Sequence, residues 1–585
     1  SNVCIKNSSE RNQYEIKSTG SAVGNIYYTG ERPSFNTEIS NRNYYEYSSA
    51  FGTYEAILKY SILDENKKLI LVTGIEKITV NPISTVTSGI SFDIDEYGLY
   101  YLRTEVICHE HSIYAVDDTE FSYVNSDRQT VNPDFGTSAQ VLIFSDSVSN
   151  EESIAKNAGI GMIRWVRSMS DVMNLTYGEN SQTLTKKGFG AWKKYDEIFR
   201  NNGYTLLNCL LAGNMVYSDE TKNGYKLHIP YGDTGKDLFA EYCRYFAENA
   251  PAGTKYYEIW NEFDSPAGTS FNMNGEDLKN YGNLLVKAAD EIYAADDDAE
   301  IVSVVSSHAR THERVIERVK SLVGEENLQK YFKNASVHPY HWNDNPLFCE
   351  NTVTGEMTDM YKHLKEIRDV YDNAGLTDTK LWVSEVAWSP GYTDYNDVRN
   401  YPNNTNISDN PSLNIRKPIT EKQQGSYLVQ TYVMLKKNNL VEKYIPFLFS
   451  RQTDARADRD KNMGIIKSYN GDYAKVPYAA TSAYLAVSNL NMLLTGAEYI
   501  DDFVFDGETA VAYRYLRSNG DDIAILWSAL EDGEKVSVNL GCGSITVYDE
   551  YGNSKIRTSS DGTYEFDLTQ STVYVTGSFT AFERR

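Results

Sequence analysis

The chain has 585 residues, 41% hydrophobic and 23% charged, with 46 tyrosines, 21 phenylalanines and a formal net charge of −25. That length exceeds one ordinary core and predicts two or three domains, and the composition is that of a folded protein rather than a disordered one. The negative charge repels phosphate backbones and anionic headgroups, and no run of about 18 apolar residues is present, so nucleic-acid binding and membrane insertion are both excluded as expectations.

The opening SNVCIKNSSERNQYEIK is polar and lacks an initiator Met, as expected of a chain from which a targeting segment has been trimmed. A polar lead of about 45 residues follows no clear pattern. After it come the short alternating runs AILKYSIL, KLILVTG, KITVNP, ISFDI and LYYLRTEVI, which predict a β-sandwich over residues 1–133. Tyr100, two residues after Gly98 at a strand start, resembles the tyrosine corner of immunoglobulin-like domains. His109 and His111 share one face of a strand there but have no further ligands around them, which is weak support for a metal.

From Asp134 to Leu493 the pattern becomes apolar runs alternating with helices. The runs are AQVLIF, GMIRWV, YTLLNCLLA, KYYEIW, EIVSVV, ASVHPY, KLWVSE and KYIPFLF. Between them lie amphipathic stretches such as Asp277 to Ala295 and Met360 to Ala374. Eight such units over residues 134–493, with no glycine-rich phosphate loop after the first, predict a closed (β/α)₈ TIM barrel rather than a doubly wound sheet. The final segment, 494–585, returns to short strands with SNGDD and SSDGT turns and predicts a C-terminal antiparallel β-sandwich. The six cysteines are sparse and form no CxxC pair. Cys209 and Cys243 read as buried free thiols, and neither a disulfide scaffold nor a bound metal is expected.

In such a barrel the chemistry sits at the C-terminal ends of the strands. The fourth run ends in Asn261 and Glu262, and the seventh ends in Glu385, so two carboxylates converge across the barrel mouth. Paired carboxylates in unlike settings perform glycosidic-bond chemistry, one as general acid and one as nucleophile. For that division Glu262 needs a dry setting or a negative neighbour to remain protonated, whereas donors must hold Glu385 ionised. His338 and Tyr340, in SVHPYHW at the sixth run, lie on one side of an extended segment and suit hydrogen bonds to the nucleophile or to a sugar hydroxyl. Arg164 is the candidate partner of the nucleophile. Arg167, three residues on, points to the opposite face.

WNE after the fourth strand, SE at the seventh, HPY in the sixth and Arg164 in the second together resemble the retaining glycoside hydrolases of clan A, and family 39 most of all. The segment from VYDEYGN to VYVTG resembles the β-domain that often follows such barrels. In this family resemblance the proline often found after the acid is replaced by Phe263. The resemblance implies a glycosidase acting on a carbohydrate without a cofactor, with Glu262 as general acid/base, Glu385 as nucleophile and Asn261 contacting the sugar 2-hydroxyl. Tyr340 and His338 would be the sixth-strand partners.

Trp342, Trp388 and Phe449 are candidate sugar platforms, each of which would otherwise be rim packing. Arg451 and Asp454 either line a subsite or bridge each other. The DARADRD cluster lacks EF-hand spacing and reads as a solvated loop. The alternative from another class is a non-catalytic glycan-binding protein that kept the barrel, which would have no need of both acids, the preceding Asn and the sixth-strand pair together. The expected substrate is a neutral plant or microbial polysaccharide or its oligosaccharides, and the expected location is secreted or on a bacterial surface.

Overall fold

A computed structural model describes residues 14–42, 55–81, 83–108, 112–138, 148–177, 182–212, 229–230, 232–264, 275–341, 344–350, 356–390, 419–452 and 462–585. At its centre eight parallel strands close into a barrel. In chain order they are β1 Asn132–Ser138, β2 Ile160–Ser168, β3 Thr205–Leu211, β4 Tyr256–Ile259, β5 Glu300–Ser303, β6 Asn334–Val337, β7 Lys380–Val383 and β8 Lys443–Tyr444. Seven of these fall on the apolar runs of the sequence. The first does not: β1 is Asn132–Ser138, which pairs in parallel with both β2 and β8, whereas the AQVLIF run lies outside the described residues. Gly136 fits the tight interior of this strand, where a side chain would meet Ile445 and Met162.

Helices α1 Val148–Asn157, α2 Gly190–Asn201, α3 Asp233–Asn249, α4 Gly275–Ala295, α5 Ala309–Val323, α6 Met360–Asn373, α7 Glu421–Lys436 and α8 Ser482–Leu494 follow the strands in turn. Helix α4 shows why the spacing works, since Leu278, Tyr281, Leu285, Ala288 and Ile292 form one buried stripe. Helix α7 begins at a capping box, with Thr420 and Gln423 satisfying each other's backbone N–H groups. ADDDAE makes the turn between α4 and β5, where Asp296 accepts from Tyr257 Oη at 2.7 Å.

Inside the barrel, Met162, Leu207, Val302, Trp382 and Ile445 form an apolar floor. Two residues further along each strand the same inward face carries Arg164, Cys209 and Ser384, because strand side chains repeat with period two. A dry floor with polar groups above it makes the C-terminal mouth the place for chemistry.

Two sheets precede the barrel. One contains Tyr14–Gly20, Ser34–Asn41 and Ser84–Ser91, and the other contains Ile26–Tyr28, Ser112–Val124, Gly98–Cys108, Glu55–Asp64 and Leu69–Thr79. Phe35 and Ile39 of the first pack with Leu58, Leu102 and Phe121 of the second, making a sandwich. The polar lead therefore holds strands, and KLILVTG and KITVNP join into one. Tyr100 donates its hydroxyl to the Glu96 carbonyl at 2.7 Å, the geometry of a tyrosine corner. His109 and His111 lie outside the described residues. After α8 a six-stranded and a three-stranded antiparallel sheet enclose a second sandwich core, which includes Leu526, Val538, Tyr564 and Phe566.

Both sandwiches are continuous with the barrel core through Tyr28, Val124, Tyr513, Trp527 and Tyr574. The segment between β8 and α8 is tied to the first sandwich by Lys467–Glu120 and Lys475–Asp117 ion pairs, each at 2.5 Å. Cys209, Cys243, Cys349 and Cys542 are free thiols. No helix among the described residues is long and apolar enough to cross a membrane.

Candidate active site

The site is built at the tips of β2, β4, β6 and β7. At β4 the backbone turns sharply out of the strand. Trp260 and Glu262 adopt φ of 69° and 42°, and Val304 at the tip of β5 has φ of 56°. Left-handed backbone is uncommon outside glycine and a genuine outlier for a β-branched residue, and such conformations concentrate at functional positions held by their surroundings. Here the holding group is Tyr281 of α4. Its hydroxyl donates to the Ile259 carbonyl and accepts from Val304 N–H, both at 2.9 Å, and its ring stacks on Phe263 at 3.7 Å. This pins the two strand tips together and aims Glu262 over the mouth.

Glu385 stands two residues past β7 and is 6% exposed. Arg164 Nη1 donates to its Oε1, and Tyr340 Oη donates to its Oε2 at 3.0 Å. Both oxygens thus accept from donors. Glu262 has its Oε1 2.8 Å from His338 Nδ1, and the other ring nitrogen of His338 lies 2.8 Å from Ser384 Oγ. His338 Nδ1 is also 3.7 Å from Glu385 Oε2, so one buried imidazole stands between the two acids. Oxygen atoms of Glu262 and Glu385 and a ring nitrogen of His338 all lie within 4.8 Å of one another. Asn261 Oδ1 accepts from Arg164 Nη2 at 2.7 Å. Because the guanidinium only donates, the amide is oriented with its NH₂ as the end left for other partners.

Electrostatics departs from the sequence expectation at Glu262. Burial pushes its carboxyl upward, but the hydrogen bond and charge of His338 outweigh this and hold it below its ordinary value of 4.5. Burial likewise opposes charge on His338, yet Glu385 and Glu262 beside it raise it above 6.5. The dry setting that would keep Glu262 protonated is thus present, but His338 overrides it. The fold supplies an imidazole hydrogen-bonded to the acid, a pairing that favours the ionised carboxylate.

The other expected residues divide. Arg164, Asn261, Glu262, His338, Tyr340 and Glu385 come together in one cluster. Arg167 faces outward as its spacing requires, where it donates to Asp196 and Asn208 and lies 3.6 Å over the Trp165 ring. Trp388 and Phe449 are each 1% exposed. The Trp388 indole donates to the Asp344 carbonyl and its ring packs on Tyr427, and Phe449 lies in the main core, so both are packing residues rather than open sugar platforms. Arg451 pairs with Glu421 at 2.7 Å. Trp342, Asp454 and the DARADRD loop lie outside the described residues, as does most of the long excursion after β7.

Sequence reasoning missed Glu258 and Ser384. Glu258 sits in β4, wholly buried, with Oε2 2.6 Å from Arg164 Nε. Its signal was available: a carboxylate in the middle of YYEIW, on the inward face and spaced by four from Glu262, needs a buried counter-charge. Cys209 also touches this group, with its sulfur 3.4 Å from Arg164 Nη2.

No protein-family model and no curated protein sequence matches the chain. Among solved structures, a family 39 glycoside hydrolase from the gut symbiont Bacteroides cellulosilyticus WH2 superimposes with a TM-score of 0.67 at 14% identity, covering 96% of this chain and 99% of that one. A glucosidase from Croceicoccus marinus and the catalytic domain of GH30 xylanase C from Talaromyces cellulolyticus both reach TM-scores of 0.46 at 13% identity. They cover 73% and 78% of this chain and 91% and 99% of their own, and at that level they carry no argument. The chain therefore has the fold of the Bacteroides glycoside hydrolase over nearly its whole length: a (β/α)₈ barrel flanked by an N-terminal and a C-terminal β-sandwich.

Proposed function

We propose that this protein is a retaining glycoside hydrolase of clan A, related to family 39, that cleaves a neutral oligo- or polysaccharide by double displacement. The observation that carries the reading is the pair of carboxylates at the tips of β4 and β7, with oxygens within 4.8 Å of each other and unlike partners. Retaining enzymes hold their carboxyl groups about 5–5.5 Å apart, and inverting ones leave roughly 6.5–9.5 Å for a water; facing oxygens this close, with the His338 ring between the acids, leave little room for that water and support retention. The whole-length likeness to a family 39 structure supports the same reading.

In this mechanism Glu385, its oxygens held by Arg164 and Tyr340, attacks the anomeric carbon. The glycosidic C–O bond breaks, and its electron pair goes to the leaving oxygen, which takes a proton from Glu262. The proton is drawn from the hydrogen-bonded Glu262–His338 pair. The resulting glycosyl ester is then cleaved by a water that Glu262 deprotonates. Asn261 presents its NH₂ to the sugar 2-hydroxyl. A secreted or surface location in a bacterium accords with two accessory sandwiches and a polymeric glycan. A glycan-binding protein without catalysis would need neither the Glu262–His338 pair nor two donors on Glu385.

The test is a panel of aryl β-glycosides and polysaccharides, with wild type and Glu385→Ala compared and the product anomer followed by NMR. Release of the retained anomer by wild type, with the variant reduced by about 10⁴-fold or more, is expected. An inverted product would exclude double displacement.

A further inference from the structure

We infer that Glu258 is a positioning residue that serves as the standing counter-charge of Arg164, so that converting Glu385 to an ester does not strand a buried cation. The inference rests on the double-displacement reading above for its catalytic meaning, but its electrostatic content stands on the structure alone.

Arg164 is wholly buried and has two carboxylates on different nitrogens, Glu258 on Nε at 2.6 Å and Glu385 on Nη1. The remaining contacts of the guanidinium are neutral: the Asn261 oxygen and the Cys209 sulfur. Glu258 is equally buried, and its carboxylate also meets the side chains of Ser384 and Cys209, so it belongs to the same closed polar cluster as Arg164 rather than to the apolar wall of the barrel. Two carboxylates on one cation is more negative charge than the free enzyme needs, since one would neutralise it. The excess becomes useful in the reaction. When Glu385 Oε forms its bond to the anomeric carbon, the leaving oxygen departs with the electron pair of the broken bond and a proton from Glu262, and Glu385 becomes a neutral ester. Without Glu258, Arg164 would then have no carboxylate on any nitrogen, and a buried charge that loses its partner is strongly destabilised. With Glu258 in place, the cation is paired before, during and after the step. In the free enzyme Glu258 also competes for the same guanidinium, which leaves Glu385 less stabilised as a spectator anion and more available as a nucleophile.

Gln at position 385 mimics the neutral ester, so a stability cycle tests the proposal without any substrate. Thermal unfolding is measured for wild type, Glu258→Gln, Glu385→Gln and the double variant. Each single variant leaves one carboxylate on Arg164 and is expected to fold. The double variant is expected to lose at least about 5 °C more than the sum of the single losses, or not to fold at all. Additive losses would overturn the proposal, and so would failure of Glu258→Gln alone to fold, because Glu385 should then suffice. The catalytic arm uses a 2-deoxy-2-fluoro aryl glycoside that labels the wild type. For Glu258→Gln the rate of labelling at saturation is expected to fall roughly 100-fold with the inactivator's binding constant within a few-fold of wild type, a split that a collapsed site would not give. An unchanged labelling rate would overturn the catalytic role. If wild type neither turns over nor labels, the glycosidase reading fails while the stability cycle still decides the charge proposal.

Discussion

Arg164 and Arg167 lie three residues apart on the same barrel strand and are both completely buried, yet they live in opposite electrostatic worlds. Arg164 points inward to two carboxylates. Burial works against its charge, but the carboxylates of Glu258 and Glu385 raise it well above its ordinary value. Arg167 points outward between β2 and α2 with the single carboxylate Asp196, and there burial wins and lowers it. The difference teaches that the barrel invests more negative charge around one interior cation than structure requires, at the place where a covalent bond is to form. The outer arginine has what a structural residue needs, one carboxylate, one amide and an aromatic face.

The sharpest way to break this comparison is to truncate each arginine in turn. Arg164→Met is expected to lower kcat/KM by about 10³-fold or more, since it removes a donor from Glu385 and leaves Glu258 buried without its counter-charge. Arg167→Met should instead leave kcat/KM within a few-fold and lower stability by about 3 kcal/mol, because Asp196 loses its counter-charge behind the barrel wall. Equal losses of activity in the two variants would erase the distinction between inner and outer face.

A smaller effect is expected at the second donor to Glu385. Tyr340→Phe keeps the ring and deletes one hydrogen bond of 3.0 Å, and kcat should fall roughly 10- to 100-fold with little change in KM, as measured on an activated aryl glycoside. A rise in KM alone would place Tyr340 in substrate binding.

The smallest effect is one of pH. His338 is raised above 6.5, so its contribution to stability is fully present below pH 6.5 and is lost as pH climbs through the raised value. Glu262 is lowered beneath 4.5, so its share is present above pH 4.5 and is lost as pH falls through the lowered value. Melting curves across pH should therefore show wild type declining more steeply than His338→Gln above pH 6.5. Parallel curves would mean that the imidazole carries no charge in the pair.

Much of this was legible in the sequence, for identifiable reasons. Strand runs ending in carboxylates, a period of two on β2 and helical stripes such as that of α4 are local patterns with one physical reading. What the sequence hid depended on context. Asn132–Ser138 is too weakly apolar to announce itself as a strand, because apolarity is visible in a sequence and the close fit of Gly136 beside Ile445 is not. Trp388 and Phe449 follow strand tips as a sugar platform would, and only the packing shows them to be buried. The sequence suggests His338 as a partner of the nucleophile or of a sugar hydroxyl, but its Nδ1 bonds Glu262 instead, because distances between strand tips cannot be read from spacing. Glu258 was passed over as one polar residue in an apolar run, although burial on a barrel's inner face made it the residue most in need of explanation.

The most direct test of the central claim is to inactivate the wild-type protein with a 2-deoxy-2-fluoro glycoside matching its best aryl substrate and map the labelled peptide by mass spectrometry. The account predicts a single sugar on Glu385, in the peptide containing WVSEVAW. A sugar found on Glu262 or Glu258, or an active enzyme that takes no label and releases the inverted anomer, would contradict it.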